Sequence, residues 1–222
     1  MRRLVLLSRK GGTGKTTLSV NLAVAAVRDG LNVAVADLDP QSSACRWGDV
    51  RTSQQPSIRA VNSGTLFPYA NNVERLGADL LIIDTPAGDT AAGQAAIGIA
   101  DLCVLITRPS YFDLEALAWA AEAVRARGKP GLIVLNQAPS PRGGVESPVI
   151  HRSADAARKL GLPLARVGLR ARVAFQDSLW RGEGVLEFDH RSAAAEEVRR
   201  LWAEVSGLLD AQAVPRPRAA LA

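Results

Sequence analysis

The chain has 222 residues, 47% of them hydrophobic, and a formal net charge of +5. That composition excludes a disordered chain, and the length suits one α/β domain with a sizeable core rather than two. No apolar run approaches the roughly 18 residues that cross a bilayer, and no apolar N-terminal region with a small-residue cleavage site marks a secretory signal, so a cytoplasmic protein is expected. Cys45 and Cys103 stand apart from each other and from any histidine, which is not metal-ligand spacing; Cys103 reads as core and Cys45 as a helix residue. Only four of the 27 basic residues are lysines, and two of these, Lys10 and Lys15, share one short loop. A compact ammonium differs physically from a guanidinium, so lysine reads as required at both positions.

In chain order, Arg3 to Ser8 predicts a short buried strand. A glycine-rich loop follows, then a helix over Thr16 to Arg28 that ends at Asp29-Gly30. Val33 to Ala36 predicts a second strand and Ser57 to Val61 a weaker third. Asp79 to Ile83, Leu102 to Thr107 and Gly131 to Asn136 predict three more. Helical patterns separate the strands, notably Asp113 to Arg127, with Leu114, Leu117, Ala118, Ala121 and Val124 on one face. Gln137 to Pro148 reads as a loop, Leu164 to Val167 as a short strand, and Val185 to Phe188 as strand-like or extended. Ser192 caps a final helix reaching Leu209, with Glu196 and Glu197 in its early turns.

Apolar strands alternating with helices predict a single doubly wound, mostly parallel α/β sheet covered on both faces. One domain over residues 1–212 is expected, followed by a frayed tail at 213–222 containing Pro215 and Pro217. Ligands in such sheets bind at the carboxyl ends of the strands. The polar segments Asp37-Leu38-Asp39-Pro40-Gln41 and Asp84-Thr85-Pro86 and the glycine-rich loop all fall there, which predicts one site.

The general phosphate loop is GxxxxGK[ST]. Arg9 occupies its first glycine position, but Gly14-Lys15-Thr16 is intact and lies between a strand and a helix. Glycines let backbone N–H groups curl around phosphate oxygens, and the helix N-terminus adds to the field. A simple glycine-rich turn accounts for the glycines but not for Lys15-Thr16.

Lys10-Gly11-Gly12-Thr13-Gly14-Lys15-Thr16-Thr17 resembles the deviant Walker A loop, KGGxGKTT, of the ParA/MinD family of P-loop ATPases. The resemblance covers most of the chain in motif order and is strongest over residues 1–110. It implies ATP and Mg²⁺ as cofactors. Lys15 would reach the terminal phosphates, Thr16 would ligate Mg²⁺, and Lys10 would contact phosphates across a homodimer formed on ATP binding, a role parallel to an arginine finger. Asp37-Leu38-Asp39-Pro40-Gln41 resembles the family's DxDPQ segment, so Asp39 would position the attacking water and support the metal; an aspartate pair capping the next helix is the other reading. Leu80-Leu81-Ile82-Ile83-Asp84 resembles the Walker B strand, so Asp84 would hold the metal shell. Asn136-Gln137-Ala138-Pro139 resembles the base-contacting segment, so Asn136 would face adenine; an ordinary turn is the alternative.

The ParA branch implies nonspecific duplex DNA binding, nucleoid association in the ATP state, and a ParB-like adaptor or centromere-binding protein. The implied activity is slow, adaptor-stimulated ATP hydrolysis that partitions a plasmid, a chromosome or another cargo. Basic residues gather at Arg142, Arg152, Arg158, Lys159, Arg166, Arg170 and Arg172, opposed only by Glu146 and Asp155, with Arg199 and Arg200 beyond. Arg152, Arg170, Arg172 and Arg199 are the candidate DNA contacts; a solvated basic face in an arginine-rich chain is the other reading. The MinD branch implies membrane positioning through a terminal amphipathic helix. Leu201, Trp202, Val205, Leu208 and Leu209 form such a stripe, but Glu196, Glu197, Glu204 and Asp210 share the helix, so packing on the sheet is expected and no membrane partner. Redox cluster work and biosynthetic ligation are disfavoured, the first by the isolated cysteines and the second by Lys10.

Overall fold

In the computed structural model, which describes residues 1–141 and 143–212, the strongly apolar runs become strands with both faces covered, while Ser57–Ala60 forms an exposed edge strand. The strands are β1 (Arg2–Leu7), β2 (Val33–Asp37), β3 (Ser57–Ala60), β4 (Leu80–Asp84), β5 (Leu102–Thr107) and β6 (Gly131–Leu135). They form one six-stranded sheet in the order β3-β2-β4-β1-β5-β6, and every pairing is parallel. Side chains alternate across a strand. Leu4 and Leu6 therefore enter one core layer while Val5 and Leu7 enter the other. Two buried faces are why these strands are continuous apolar runs rather than alternating ones.

One face is covered by α1 (Lys15–Arg28) and α9 (Ala193–Ala211), with α2 (Ser43–Val50), α7 (Val173–Trp180) and α8 (Val185–Phe188) alongside. The other is covered by α3 (Leu66–Arg75), α4 (Ala91–Ile99), α5 (Tyr111–Ala126) and α6 (Pro148–Arg158). The Ser192 hydroxyl accepts a hydrogen bond from the Ala195 N–H and starts α9, as the sequence predicts. Leu201, Trp202, Val205 and Leu209 are buried against the sheet layer, with Leu208 packed beside them. The Trp202 indole N–H donates to Asp29 at 2.6 Å, fixing α9 to the end of α1. The amphipathic stripe thus faces the core.

Two local expectations change. Residues 185–188 form a helical turn, not an extended segment. The Asn21 side-chain oxygen accepts from the Val185 N–H at 2.8 Å, and Glu187 accepts from the Gly184 N–H at 3.0 Å. Both bonds satisfy N–H groups at the start of a helix, where no intrahelical acceptor exists. Leu164 makes only an isolated parallel bridge to Ile133, with no strand over 164–167. The tail at 213–222 and Arg142 lie outside the described residues.

Candidate functional site

The strand ends set the site. β1 stops at Leu7, α1 begins at Lys15, and the loop between them lies at the carboxyl edge of the sheet. Gly12 and Gly14 have φ of 72° and 90°, a left-handed region costly for residues with a Cβ. Gly14 is doubly required, because a Cβ there would lie 2.3 Å from Nδ2 of Asn136.

Lys15 is buried, and its ammonium donates to the Ser8 hydroxyl at 2.9 Å. Ser8 in turn donates to the Lys10 carbonyl at 2.9 Å. Burial lowers the Lys15 pKa, while the Asp84 and Asp39 carboxylates act to raise it. The P-loop lysine therefore sits in the field of both acids that the sequence places at neighbouring strand ends.

Asp84 and Asp37 are directly paired in register at the ends of β4 and β2. Their environments differ. Asp37 is buried, and its Oδ2 accepts from the N–H groups of Ala44 and Cys45 at 2.9 and 3.1 Å. The helix-capping role open for this aspartate pair thus falls to Asp37. Asp39 is only partly buried and accepts from the Gln41 N–H at 2.9 Å.

Asp84 is buried, and neither carboxylate oxygen has a well-formed hydrogen bond. Burial pushes its pKa up to about 7 and Asp37 adds to the rise; the nearby Thr16 hydroxyl, Lys15 and Ser19 ease it without completing a bond. An uncompensated buried carboxyl beside a threonine hydroxyl fits a hydrated divalent cation. Thr16, Asp84 and Asp39 are the residues present to hold Mg²⁺.

Lys10 stands at the lip. Its side chain is 40% exposed, its ammonium lies 3.1 Å from Asp113 at the start of α5, and it rests 5.5 Å from the Phe112 ring centroid. Arg108 pairs with the same carboxylate at 2.5 Å. Arg9, in place of the usual glycine, stacks over Trp119 at 5.2 Å.

Two clefts meet at the N-terminus of α1. One, of about 780 Å³, is lined by Gly11, Gly12, Lys15, Thr16, Asp39 and Trp180, among others. The other, of about 380 Å³, is lined by Asn136, Gln137, Leu169, Arg172 and Phe175, among others. Gly14, Thr17, Gln176 and Leu179 border both. The two clefts are thus contiguous. Trp180, 86% exposed, stands on the rim of the first. Asn136, expected to face adenine, lines the smaller cleft, but its NH₂ donates to the Thr13 carbonyl at 2.7 Å, so its amide grips the loop. Gln137 does the same to the Gly12 carbonyl at 2.8 Å.

The candidate DNA contacts do not form one cluster of equivalent charges. Arg170 is a forked pair with Glu146 and also donates to the Pro139 carbonyl. Arg172 is paired with Glu197 at 2.6 Å. Arg199 pairs with Glu196 one turn away on α9. Arg152 is exposed on α6. Sequence reading missed Ser8 and Asp113 as parts of the site, and it placed Gln137 in the base-contacting segment without its hold on the phosphate loop. Asp113 alone left a signal, as an acid in the first turn of α5 after the Ser110 cap.

Residues 4–209 match the family model described as the CobQ/CobB/MinD/ParA nucleotide binding domain. The chain is 32% identical over 213 residues to the Maintenance of carboxysome distribution protein A of Gloeobacter kilaueensis, covering 90% of this chain and 95% of that one. It is 29% identical over 167 residues to the chromosome-partitioning ATPase Soj of Thermus thermophilus, covering 61% and 67%. Among solved structures, an ATP complex of a McdA variant from Cyanothece superposes with a TM-score of 0.74 at 17% identity, covering 97% and 99%. The Mg-ADP complex of the septum site-determining protein MinD from Pyrococcus horikoshii gives 0.73 at 20%, covering 96% and 98%. At these identities the structures speak for the fold.

Proposed function

The chain belongs to the CobQ/CobB/MinD/ParA family of nucleotide-binding domains, and from that premise we propose that it is a positioning ATPase that dimerises on ATP, binds duplex DNA without sequence preference, and distributes a cargo through an adaptor protein. The observation that carries this is the placement of two lysines. Lys15 lies inside the loop with Thr16, Asp39 and Asp84, and completes a site for one nucleotide. Lys10 stands outside on the lip, partly exposed, where it can reach the phosphates of a second copy.

The proposed chemistry follows from these residues. The loop N–H groups and Lys15 bind the β- and γ-phosphates, and Thr16, Asp84 and Asp39 hold Mg²⁺. The bound cation supplies charge neutralisation on the phosphate oxygens. Asp39, partly open to the cleft, orients the attacking water. Lys10 of a facing copy adds positive charge where the leaving phosphates gain negative charge.

The output is supported by the relatives, which distribute carboxysomes or partition chromosomes by their names. Arg152 and Arg199 are the first choice for phosphate contacts, since Arg170 and Arg172 are held in part-buried pairs while Arg199 has only the exposed Glu196 beside it. The burial of the α9 stripe supports DNA over a membrane as the surface. The test is paired: ATP-loaded protein is mixed with duplex DNA at low salt and, separately, with anionic liposomes. Retention on DNA that weakens steeply with salt is expected. Pelleting with liposomes and indifference to DNA would replace this reading with membrane positioning.

A further inference from the structure

Gln137 follows Asn136 within the segment expected to contact the base, on the surface, with φ of 54°. A glutamine in the left-handed region is uncommon and calls for a local cause. Its neighbours supply the frame. The Asn136 N–H donates to the Thr107 carbonyl at 2.8 Å, continuing the β5–β6 pairing. Ala138 bonds in both directions with the 169–171 segment, at 3.0 and 2.9 Å. Gln137 is therefore a kink between two anchored residues.

The kink aims its side chain back at the phosphate loop. Only the NH₂ of an amide can donate to a carbonyl, so both orientations are fixed: Gln137 donates to Gly12 and Asn136 to Thr13. Two consecutive side chains thus hold two consecutive carbonyls of the loop. In a trans peptide the C=O and the next N–H point opposite ways. Drawing the Gly12 and Thr13 carbonyls toward β6 turns the N–H groups of Thr13 and Gly14 away from β6. Glycine at 12 and 14 makes those peptide planes free to turn and in need of a hold.

We propose that Gln137 is a positioning residue for the phosphate loop, acting through the Gly12 carbonyl to preset the N–H groups that receive polyphosphate, rather than a reader of the base. This rests on the nucleotide-site reading above. The class of ligand whose grip it sets is a polyphosphate, with or without a base attached.

The test uses the full chain with Gln137→Met, which keeps length and loses the donor. Affinity is measured for Mg-ATP and for Mg-tripolyphosphate, the latter by competition, and amide hydrogen exchange is followed across residues 10–17 without ligand. The loss of one hydrogen bond should weaken both ligands alike, by about 3- to 10-fold, and exchange should quicken in the loop while the β-strands are unchanged. A loss confined to ATP would make Gln137 a base contact and overturn the proposal. Unchanged affinity for both ligands, or unchanged exchange in the loop, would overturn it too. A wild-type chain that binds neither ligand removes the nucleotide reading itself, which separates the two failures. Gln137→Arg, which restores a donor of sufficient reach, should recover the slow exchange of the loop.

Discussion

The ammonium of Lys10 and the carboxylate of Asp113 lie 3.1 Å apart, joining the lip of the phosphate loop to the first turn of α5 across more than a hundred residues of chain. Asp113 is buried, with a side chain 3% exposed, and it also takes Arg108. Burial alone would raise its pKa, but the hydrogen bonds from Arg108 and Lys10 prevail and hold it below the ordinary value. With Arg108 in place, Lys10 can leave without stranding a bare carboxylate. Asp113→Asn should release Lys10 for a facing copy and lower the ATP concentration needed for dimerisation by roughly 2- to 5-fold, the scale of one partly exposed ion pair. Sedimentation across an ATP titration checks this; a rightward shift would mean that Asp113 presents Lys10 rather than restrains it.

Lys15→Ala removes the one ammonium inside the loop. Mg-ATP affinity should fall at least about 100-fold, given that hydrogen bonds from charged groups are among the strong ones. Calorimetric titration reads this directly, and an affinity near wild type would refute the placement of the phosphates.

Asp39→Ala should leave nucleotide binding largely intact, because Asp39 lies at the open side of the cleft while the loop and Asp84 hold the rest. Hydrolysis should drop by about 10²-fold or more, in the range attributed to groups that position or activate a nucleophile, and an ATP-bound dimer should persist on size exclusion. Turnover at the wild-type rate would assign the water to another residue.

Asp84 makes apo stability depend on pH. Its carboxyl titrates near 4 in an unfolded chain and at about 7 when folded, so between those values the folded state holds the extra proton. This group's contribution to stability therefore falls as pH rises from about 4 and is fully lost above about 7. Asp84→Asn cannot ionise. It should match wild type near pH 4 and exceed it by on the order of 2–4 kcal/mol above pH 7.5, while losing Mg-ATP binding. Denaturant melts of the apo proteins at both pH values test it; equal stability at the higher pH would show that another group relieves the buried charge.

Gly14→Ala meets both the φ of 90° and the Asn136 amide. It should cost about 1–3 kcal/mol of stability and weaken nucleotide binding in the same step. Combining it with Asn136→Ala should recover part of the stability and none of the φ strain, which a double-mutant cycle separates.

The parallel sheet was legible because both faces of its central strands are buried, which writes an apolar run into each of them; the exposed edge strand β3 carries only a weak signal. That Lys15 and Thr16 share one loop was legible because strand end, loop and helix start are contiguous in sequence, and the position of Asp84 was legible because it closes an apolar run that pairs beside β1. The contacts of Gln137 and Asp113 were not, since their partners Gly12 and Lys10 are brought near only by the stacking of β5 and β6 beside β1. The turn at 185–188 was misread because four residues with three apolar positions suit either period, and what decides it is Asn21 on α1. The basic segment was read by charge alone, which does not register that Glu146 and Glu197 neutralise Arg170 and Arg172.

Trp180 gives the cleft an optical consequence. Four tryptophans share the chain; Trp47 and Trp202 are buried, Trp119 is stacked under Arg9, and Trp180 alone stands almost wholly in water at the rim of the cleft that takes in Lys15 and Asp39. A water-facing indole emits toward the red, and contact with a second copy across that rim would move its emission to shorter wavelength. Closure of the cleft can then be timed by stopped-flow fluorescence on the unlabelled protein, with Trp180→Phe as the blank.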